Sequence, residues 1–489
     1  MTDLSAQFLG ADTAERLRMT RAQSNEPELR ALLGDDAFRE YERLVGQLDE
    51  EHLAFDAGPN VIFIPGVMGS LLQSRTRGGI WWIDVRTRQF IDQLRLSPDG
   101  STDATRENAI EPATTDPSYD PFLSALLRQP DLGHRVFAYD WRKPLLLSAA
   151  ALKDAVLSAH RDNGGRPVHL VAHSMGGLMA RAMLMEHRDE IMPILGKIVF
   201  IGTPHFGAAA ISGYLKNHMW GTELMALLGC YLSRPTFRSL RGVLSLLPAP
   251  RGLYPGTRDT DASSWQSDEV DDPYLHPCAN FDMYRASEWR LDLDPDEVEH
   301  LQNVLDETAR FHQRLAEAHQ RLTPDERDKM LVIAGVGYQT LFRLAYEPGF
   351  LGLWDRAAKI RERVNQDVHR EGDGRVPVAS ASLDNVDIRF VKGEHGSLPN
   401  IPQVYEETFR FLRDQPLQTT RDMSAALSSH LADAEGSQAP HLDGSSRAIP
   451  FTDDPGYWRE DAPDAERLQM LETALAADGI PAFSRLRIL

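Results

Sequence analysis

The stretch VHLVAHSMGGLMAR, Val168 to Arg181, constrains the fold more than any other part of the chain. Its first half is an apolar, β-branched run too short for a helix, and its second half has the composition of a helix. Ser174 sits at the change, with Ala172 two residues before it and Gly176 two residues after it. A polar residue at the tip of a buried strand, with small residues on both sides, is the signature of a nucleophile elbow. Such elbows usually carry Gly where this chain has Ala172, and one methyl group is the smallest departure available. A plain Gly-rich turn is the competing reading, and the rest of the chain has to decide between them.

Five further apolar runs share the character of the first: NVIFIPGVMGS, HRVFAYDWR, KIVFIGTP, MLVIAGVG and IRFVKGEHG. Each is bounded by turn residues, as a fully buried strand is. Helical segments such as SAAALKDAVLSAHRD (148–162) and MGGLMARAMLMEHRD (175–189) lie between them. Strands alternating with helices predict an α/β fold, a mostly parallel sheet with helices on both faces. In such sheets chemistry sits beyond the carboxyl ends of the strands, so the loops just after each run matter most.

The predicted organisation has three parts. Residues 1–55 form a helical extension, in which Phe38, Tyr41, Leu44, Val45 and Leu48 recur at helical spacing. Residues 56–415 form the α/β domain, with insertions at about 71–117 and about 205–327 that are too long for plain loops and read as a lid and a cap. The cap includes a helix starting at Pro295, with Asp294 and Glu297 as capping residues. Residues 416–489 are rich in Gly, Ser, Pro and acidic residues and read as a linker, with DAERLQMLETALAAD as a short terminal helix.

Composition narrows the function. The chain has 489 residues, 42% of them hydrophobic, which is ordinary for a globular protein. A formal charge of -20 with no block of Lys and Arg argues against nucleic acid as a partner and favours a neutral or zwitterionic substrate. Two cysteines, Cys230 and Cys278, make neither a disulfide framework nor a metal-ligand spacing. No metal and no cofactor is expected. The N-terminal residues lack the apolar core of a secretory signal, and no run reaches the ~18 apolar residues of a spanning helix. A cytoplasmic protein is expected, any membrane contact being peripheral; the oligomeric state is left open.

A serine is a weak nucleophile until a base takes its proton, and the base needs a carboxylate to hold its tautomer. In elbow-bearing folds the chain order is Ser, then Asp or Glu, then His. REGDGRVPVAS places Asp373 between two glycines, and VKGEHGSLPN places His395 in a short loop after the last strand run. Competing residues are His169 and His173 on the Ser174 strand, Asp384 and Asp387 at the last strand, and Glu394 beside His395. The strand geometry directs His173 away from Ser174. Two backbone amides are candidates for an oxyanion hole, those of Met175 and of Val67 in PGVMGS. A simple Gly turn is an equal reading of the second.

Taken together, PGVMGSLL, AYDWR, AHSMGG, GTPHFG, GDGRV and GEHG resemble the lecithin:cholesterol acyltransferase family, in order and context, from about Asn60 to Arg413. The resemblance implies an α/β-hydrolase fold with lid and cap, and acyl transfer from ester lipids through Ser174, Asp373 and His395, with Val67 and Met175 as oxyanion hole. It also implies that Asp140 and Arg142 of YDWR brace the site. Trp81 and Trp82 match the family's lid region, where they gate the pocket, touch lipid or form an ordinary hydrophobic clasp. The expected partner is a lipid or other acyl-ester substrate. The disulfides and the secretion of some family members do not carry over. The alternatives are an esterase or thioesterase on soluble acyl groups, and a non-catalytic scaffold.

Overall fold

In a computed structural model the described residues are 4–48, 60–82, 85–105, 108–215, 234–255, 281–289, 291, 293–342, 345–346, 360–361 and 369–428. Both cysteines, the segment LLGCYL and the proposed terminal helix lie outside them.

Six strands make the central sheet: β1 (Val61–Ile64), β2 (His134–Val136), β3 (Val168–His173), β4 (Leu195–Ile201), β5 (Met330–Val336) and β6 (Asp387–Lys392), in the spatial order β6-β5-β4-β3-β1-β2. Every neighbouring pair is parallel. This is the parallel α/β sheet the strand runs predicted, and the α/β-hydrolase fold the family resemblance implied. After β1 the chain moves outward to β2 and then returns to the other side of β1 as β3. A crevice therefore opens beyond the carboxyl ends of β1 and β3, the place where open α/β sheets bind ligands.

Both faces of the sheet are covered, which is why its strands read as continuous apolar runs rather than alternating ones. Ile62, Ile64, Leu170, Ala172, Ile198 and Phe200 pack on one side against Leu152 and Val156 of α6 (Leu145–Asp162), Leu178 and Met179 of α7 (Met175–Ile191), and Leu301 and Leu305 of α8 (Pro295–Gln320). Phe63, Val171, Val199 and Ile333 pack on the other against Phe122 and Leu126 of α5 (Asp120–Leu127) and Val404 and Phe409 of α9 (Pro402–Leu412). Helix α8 begins with the capping box read from Asp294 and Glu297. Strand β2 is shorter than its apolar run because it is the edge strand, paired only to β1.

Helices α1 (Leu4–Gly10), α2 (Thr13–Arg21), α3 (Glu26–Leu33) and α4 (Asp35–Gly46) bury Phe8, Leu17, Leu29, Phe38, Tyr41 and Leu44 among themselves. They dock on α5 through one buried polar cluster. Arg16 donates to Asp120 Oδ1 at 3.0 Å and Oδ2 at 3.2 Å, Thr13 Oγ1 donates to Asp120 at 2.7 Å, and the Tyr41 hydroxyl also donates to Asp120. Neither Arg16 nor Asp120 exposes any side-chain surface.

The insertion after β1 folds into an antiparallel sheet of Ser70–Ser74, Ile80–Trp82 and Ile110–Thr115. At the other end, the start of the segment read as a linker packs on the body. Phe390 N–H donates to Thr420 O at 3.0 Å, and Glu407 accepts from the amides of Gln418 and Thr419 at 2.9 Å. Pairing with the open edge of β6 gives those backbone groups partners, which composition alone does not reveal. Among the described residues no helix is long and apolar enough to cross a membrane.

Candidate active site

Ser174 follows β3 and immediately precedes α7, with φ 51° and ψ -125°. A non-Gly residue held there stores strain of roughly 1–3 kcal/mol, tolerated where the surroundings over-determine it. The two glycines that follow supply part of that constraint. A Cβ on Gly176 would lie 2.6 Å from Ile64 O at the end of β1, and one on Gly177 would lie 2.1 Å from Thr203 Oγ1 beyond β4. Helix α7 can start this close to the sheet only because both positions lack a side chain.

His395 reaches Ser174 from the loop after β6. Its Nε2 lies 2.9 Å from Ser174 Oγ, and its Nδ1 lies 2.8 Å from Asp373 Oδ2. A carboxylate can only accept, so Nδ1 carries the proton and Nε2 presents a lone pair to the serine hydroxyl. Asp373 is held in turn: its Oδ1 accepts from Arg375 N–H at 2.9 Å and Val376 N–H at 2.7 Å, and its carbonyl accepts from His395 N–H at 2.9 Å. All three residues are buried. Three loops of the sheet thus bring together the three residues selected from sequence order.

The competing residues lie elsewhere in function. Asp387 is paired with Arg389 and Arg421. His169 Nδ1 accepts from Lys197 N–H at 3.1 Å, and burial pushes its ring down to about 4. Glu394 is exposed.

Val67 occupies the second position of a tight turn closed by Gly69 N–H to Gly66 O at 3.1 Å, with Met68 at φ 59°. The turn abuts Ser174, since a Cβ on Gly66 would fall 3.0 Å from Ser174 Cβ. Aromatic donors pin its carbonyls: Tyr139 Oη to Pro65 O at 3.1 Å, Trp82 Nε1 to Met68 O at 3.2 Å, and Trp141 Nε1 to Ser70 O at 3.1 Å. The Val67 amide meets no acceptor among the described residues. Met175 is the first residue of α7, where an amide has no partner within its helix. The Val67 amide thus lies on the turn that abuts Ser174, and the Met175 amide directly follows Ser174 at the helix start.

Trp81 and Trp82 are buried rather than presented to solvent. Trp81 stacks on Phe90 with centroids 4.9 Å apart, and Trp82 meets Trp141 edge-on at 5.0 Å. Both are packed as a clasp in this structure, and Trp82 holds the turn next to Ser174. Both rings belong to the main core, in one cluster with Ile62, Trp141 and Leu170.

Asp140 and Arg142 do not touch Ser174. Arg142 Nε and Nη2 donate to the two oxygens of Asp140 at 2.8 and 2.6 Å, and Nη1 donates to Leu94 O and Asp103 Oδ1, both at 2.9 Å. Burial works against the Arg142 charge, but Asp140 and then Asp103 outweigh it and raise its pKa. The pair fastens the insertion to the end of β2.

Tyr119 carried no reading in the sequence, and His173 was read only as a competitor directed away from Ser174. Tyr119 Oη lies 2.8 Å from His173 Nδ1, and His173 Nε2 lies 3.0 Å from His395 O. The His173 ring makes no hydrogen bond to Ser174 among those of the described residues and packs on His395 with centroids 4.9 Å apart. Nothing in the sequence around Tyr119 signals a contact made 54 residues away.

The lecithin:cholesterol acyltransferase family model matches residues 133–389, more than half of the chain. The protein belongs to this family. Within it, the chain is 34% identical over 74 residues to "Phospholipase A(1) LCAT3" of Arabidopsis thaliana, covering 15% of this chain and 17% of that protein. It is 24% identical over 154 residues to the uncharacterized protein YJR098C of Saccharomyces cerevisiae, covering 30% and 23%. The chain thus spans less than a quarter of the length of the curated relatives it matches. Among solved structures it is similar to the Tle4–Tli4 complex, with 16% identity, 73% and 97% coverage and a TM-score of 0.46. It is also similar to the mature Bacillus licheniformis lipase BlEst2, with 14% identity, 73% and 92% coverage and a TM-score of 0.33.

Proposed function

We propose that this member of the lecithin:cholesterol acyltransferase family is a serine acyl hydrolase or O-acyltransferase acting on ester lipids. The observation that carries the reading is the continuous line Ser174 Oγ, His395 Nε2, His395 Nδ1, Asp373 Oδ2, with its two hydrogen bonds of 2.9 and 2.8 Å. Ser174 Oγ attacks the ester carbonyl while His395 Nε2 takes its proton. The amides of Val67 and Met175 receive the developing oxyanion, each such donor being worth roughly 10²- to 10³-fold in rate. His395 then protonates the leaving alcohol, and an acyl-Ser174 remains. Water or a second alcohol, deprotonated by the same histidine, takes the acyl group and restores the serine.

Hydrolysis is the expected basal activity, with transfer wherever an alcohol competes with water. Family membership supports a lipid ester as donor, and the buried position of Ser174 accords with an apolar acyl chain that displaces water. The test is mass spectrometry of products from mixed phospholipid and neutral-lipid vesicles, with and without a long-chain alcohol. Free fatty acid or a new ester that disappears in Ser174→Ala supports the reading. Equal turnover by the two proteins contradicts it. Activity that ignores chain length and interfaces would instead mark an esterase or thioesterase on soluble substrates.

A further inference from the structure

We propose that Tyr119 and His173 are positioning residues that hold the Val67 turn and the His395 loop in register around Ser174. The inference rests on the reading of Ser174 as nucleophile and adds to it the way the two halves of the site are tied together. Gly66 N–H donates to Tyr119 Oη at 3.0 Å, which leaves Tyr119 its own proton to give. His173 Nδ1, 2.8 Å away, receives it. The His395 carbonyl can only accept, so His173 Nε2 carries the ring proton and donates to it at 3.0 Å. Every donor and acceptor in this chain is assigned, and both side chains are buried.

The line runs from the turn that presents the Val67 amide to the backbone of the general base, and it passes through neither Ser174 nor Asp373. Burial, and after it the nearby His395, keep His173 neutral well below the ordinary histidine range, so the link holds one tautomer across the working pH. Tyr119 is itself anchored. Its ring lies edge-on to Phe63 of β1 at 5.1 Å, and the next residue, Asp120, is gripped by Arg16, Thr13 and Tyr41 of the N-terminal helices. The N-terminal helices therefore fix the segment from which the oxyanion turn is held, which gives them a part in the site without touching it.

The experiment compares wild type, Tyr119→Phe, His173→Gln, His173→Leu and Ser174→Ala in hydrolysis of a medium-chain p-nitrophenyl ester, with folded fraction read by fluorophosphonate titration and circular dichroism. Tyr119→Phe removes one oxygen and should lower kcat by about 10- to 100-fold, as misplacement by a fraction of an ångström to one ångström does, with KM within about twofold. His173→Gln keeps a donor for the His395 carbonyl and should retain more kcat than His173→Leu. In ¹⁵N-histidine spectra of the wild-type protein, His173 should show the neutral Nε2–H tautomer; this readout does not depend on any variant folding. Full kcat in Tyr119→Phe, a loss that only tracks the folded fraction, equal kcat in the two His173 variants, or an Nδ1–H tautomer overturns the proposal. With Ser174→Ala inactive, those results leave the serine mechanism standing. An active Ser174→Ala removes both.

Discussion

Replacing Arg142 by Met tests whether the YDWR segment braces the site or takes part in the reaction. The guanidinium is fully buried and makes four side-chain hydrogen bonds, two to Asp140, one to Asp103 and one to the Leu94 carbonyl. Asp140 and Asp103 expose only 8% and 10% of their side chains. Met fills much of the space but leaves two nearly buried carboxylates without the guanidinium, with Lys143, 3.4 Å from Asp140, and the Ile110 amide, 2.9 Å from Asp103, as partial substitutes. Removing one partner of a buried ion pair costs about 3–5 kcal/mol, because the charge left behind stays desolvated. Urea denaturation of Arg142→Met should show a loss of that size. Arg142→Met with Asp140→Asn should recover part of it, since one of the stranded charges is then gone. A loss under about 1 kcal/mol would refute the bracing role. So would full stability with abolished turnover, which would place Arg142 in the chemistry.

Asp373→Asn should leave the fold intact and lower kcat by about 10⁴-fold, because an amide no longer holds His395 with its proton on Nδ1; steady-state kinetics with a stability control reads this. Gly177→Ala should cost about 1–3 kcal/mol, since the added methyl would meet Thr203 Oγ1 at 2.1 Å, and thermal denaturation against wild type checks it. Acidification should destabilise the protein through its buried neutral histidines. Burial pushes His312 down to about 4 from 6.5, and His173 and His205 well below. The unfolded chain binds protons in this window that the folded chain does not, so stability is complete above about pH 6.5 and falls as pH drops towards 4. At pH 5 His312 accounts for about 2 kcal/mol, and His312→Gln should reduce the difference between pH 7 and pH 5 unfolding free energies by that amount.

What was legible in the sequence was local or ordered. The β3–Ser174–α7 unit could be read because the strand, the small residues and the helix are contiguous. Asp373 and His395 could be read because chain order and position after a strand run select them. The Gly pair after Ser174 looked like turn chemistry, and only the structure shows that Gly176 and Gly177 are required by β1 and Thr203 across the sheet. The contacts that hold the site were not legible. Trp82 to Met68 and Tyr119 to His173 join residues of different elements, which no periodicity within one element can pair. Arg16 to Asp120 spans 104 residues, and nothing near Arg16 distinguishes it from an exposed helical arginine. The tandem tryptophans could be read as lid or clasp from the same letters, and their packing into the main core beside Trp141 involves residues far apart in the chain.

The central claim is that Ser174 forms a covalent acyl intermediate. Its most direct test is rapid acid quenching of the protein with a slowly deacylated long-chain ester, followed by peptide mass spectrometry. The account predicts an acyl mass on the peptide containing Ser174, formed faster than steady-state turnover and absent in Ser174→Ala. No acyl adduct in an active protein, or an adduct on another residue that persists in Ser174→Ala, would contradict it.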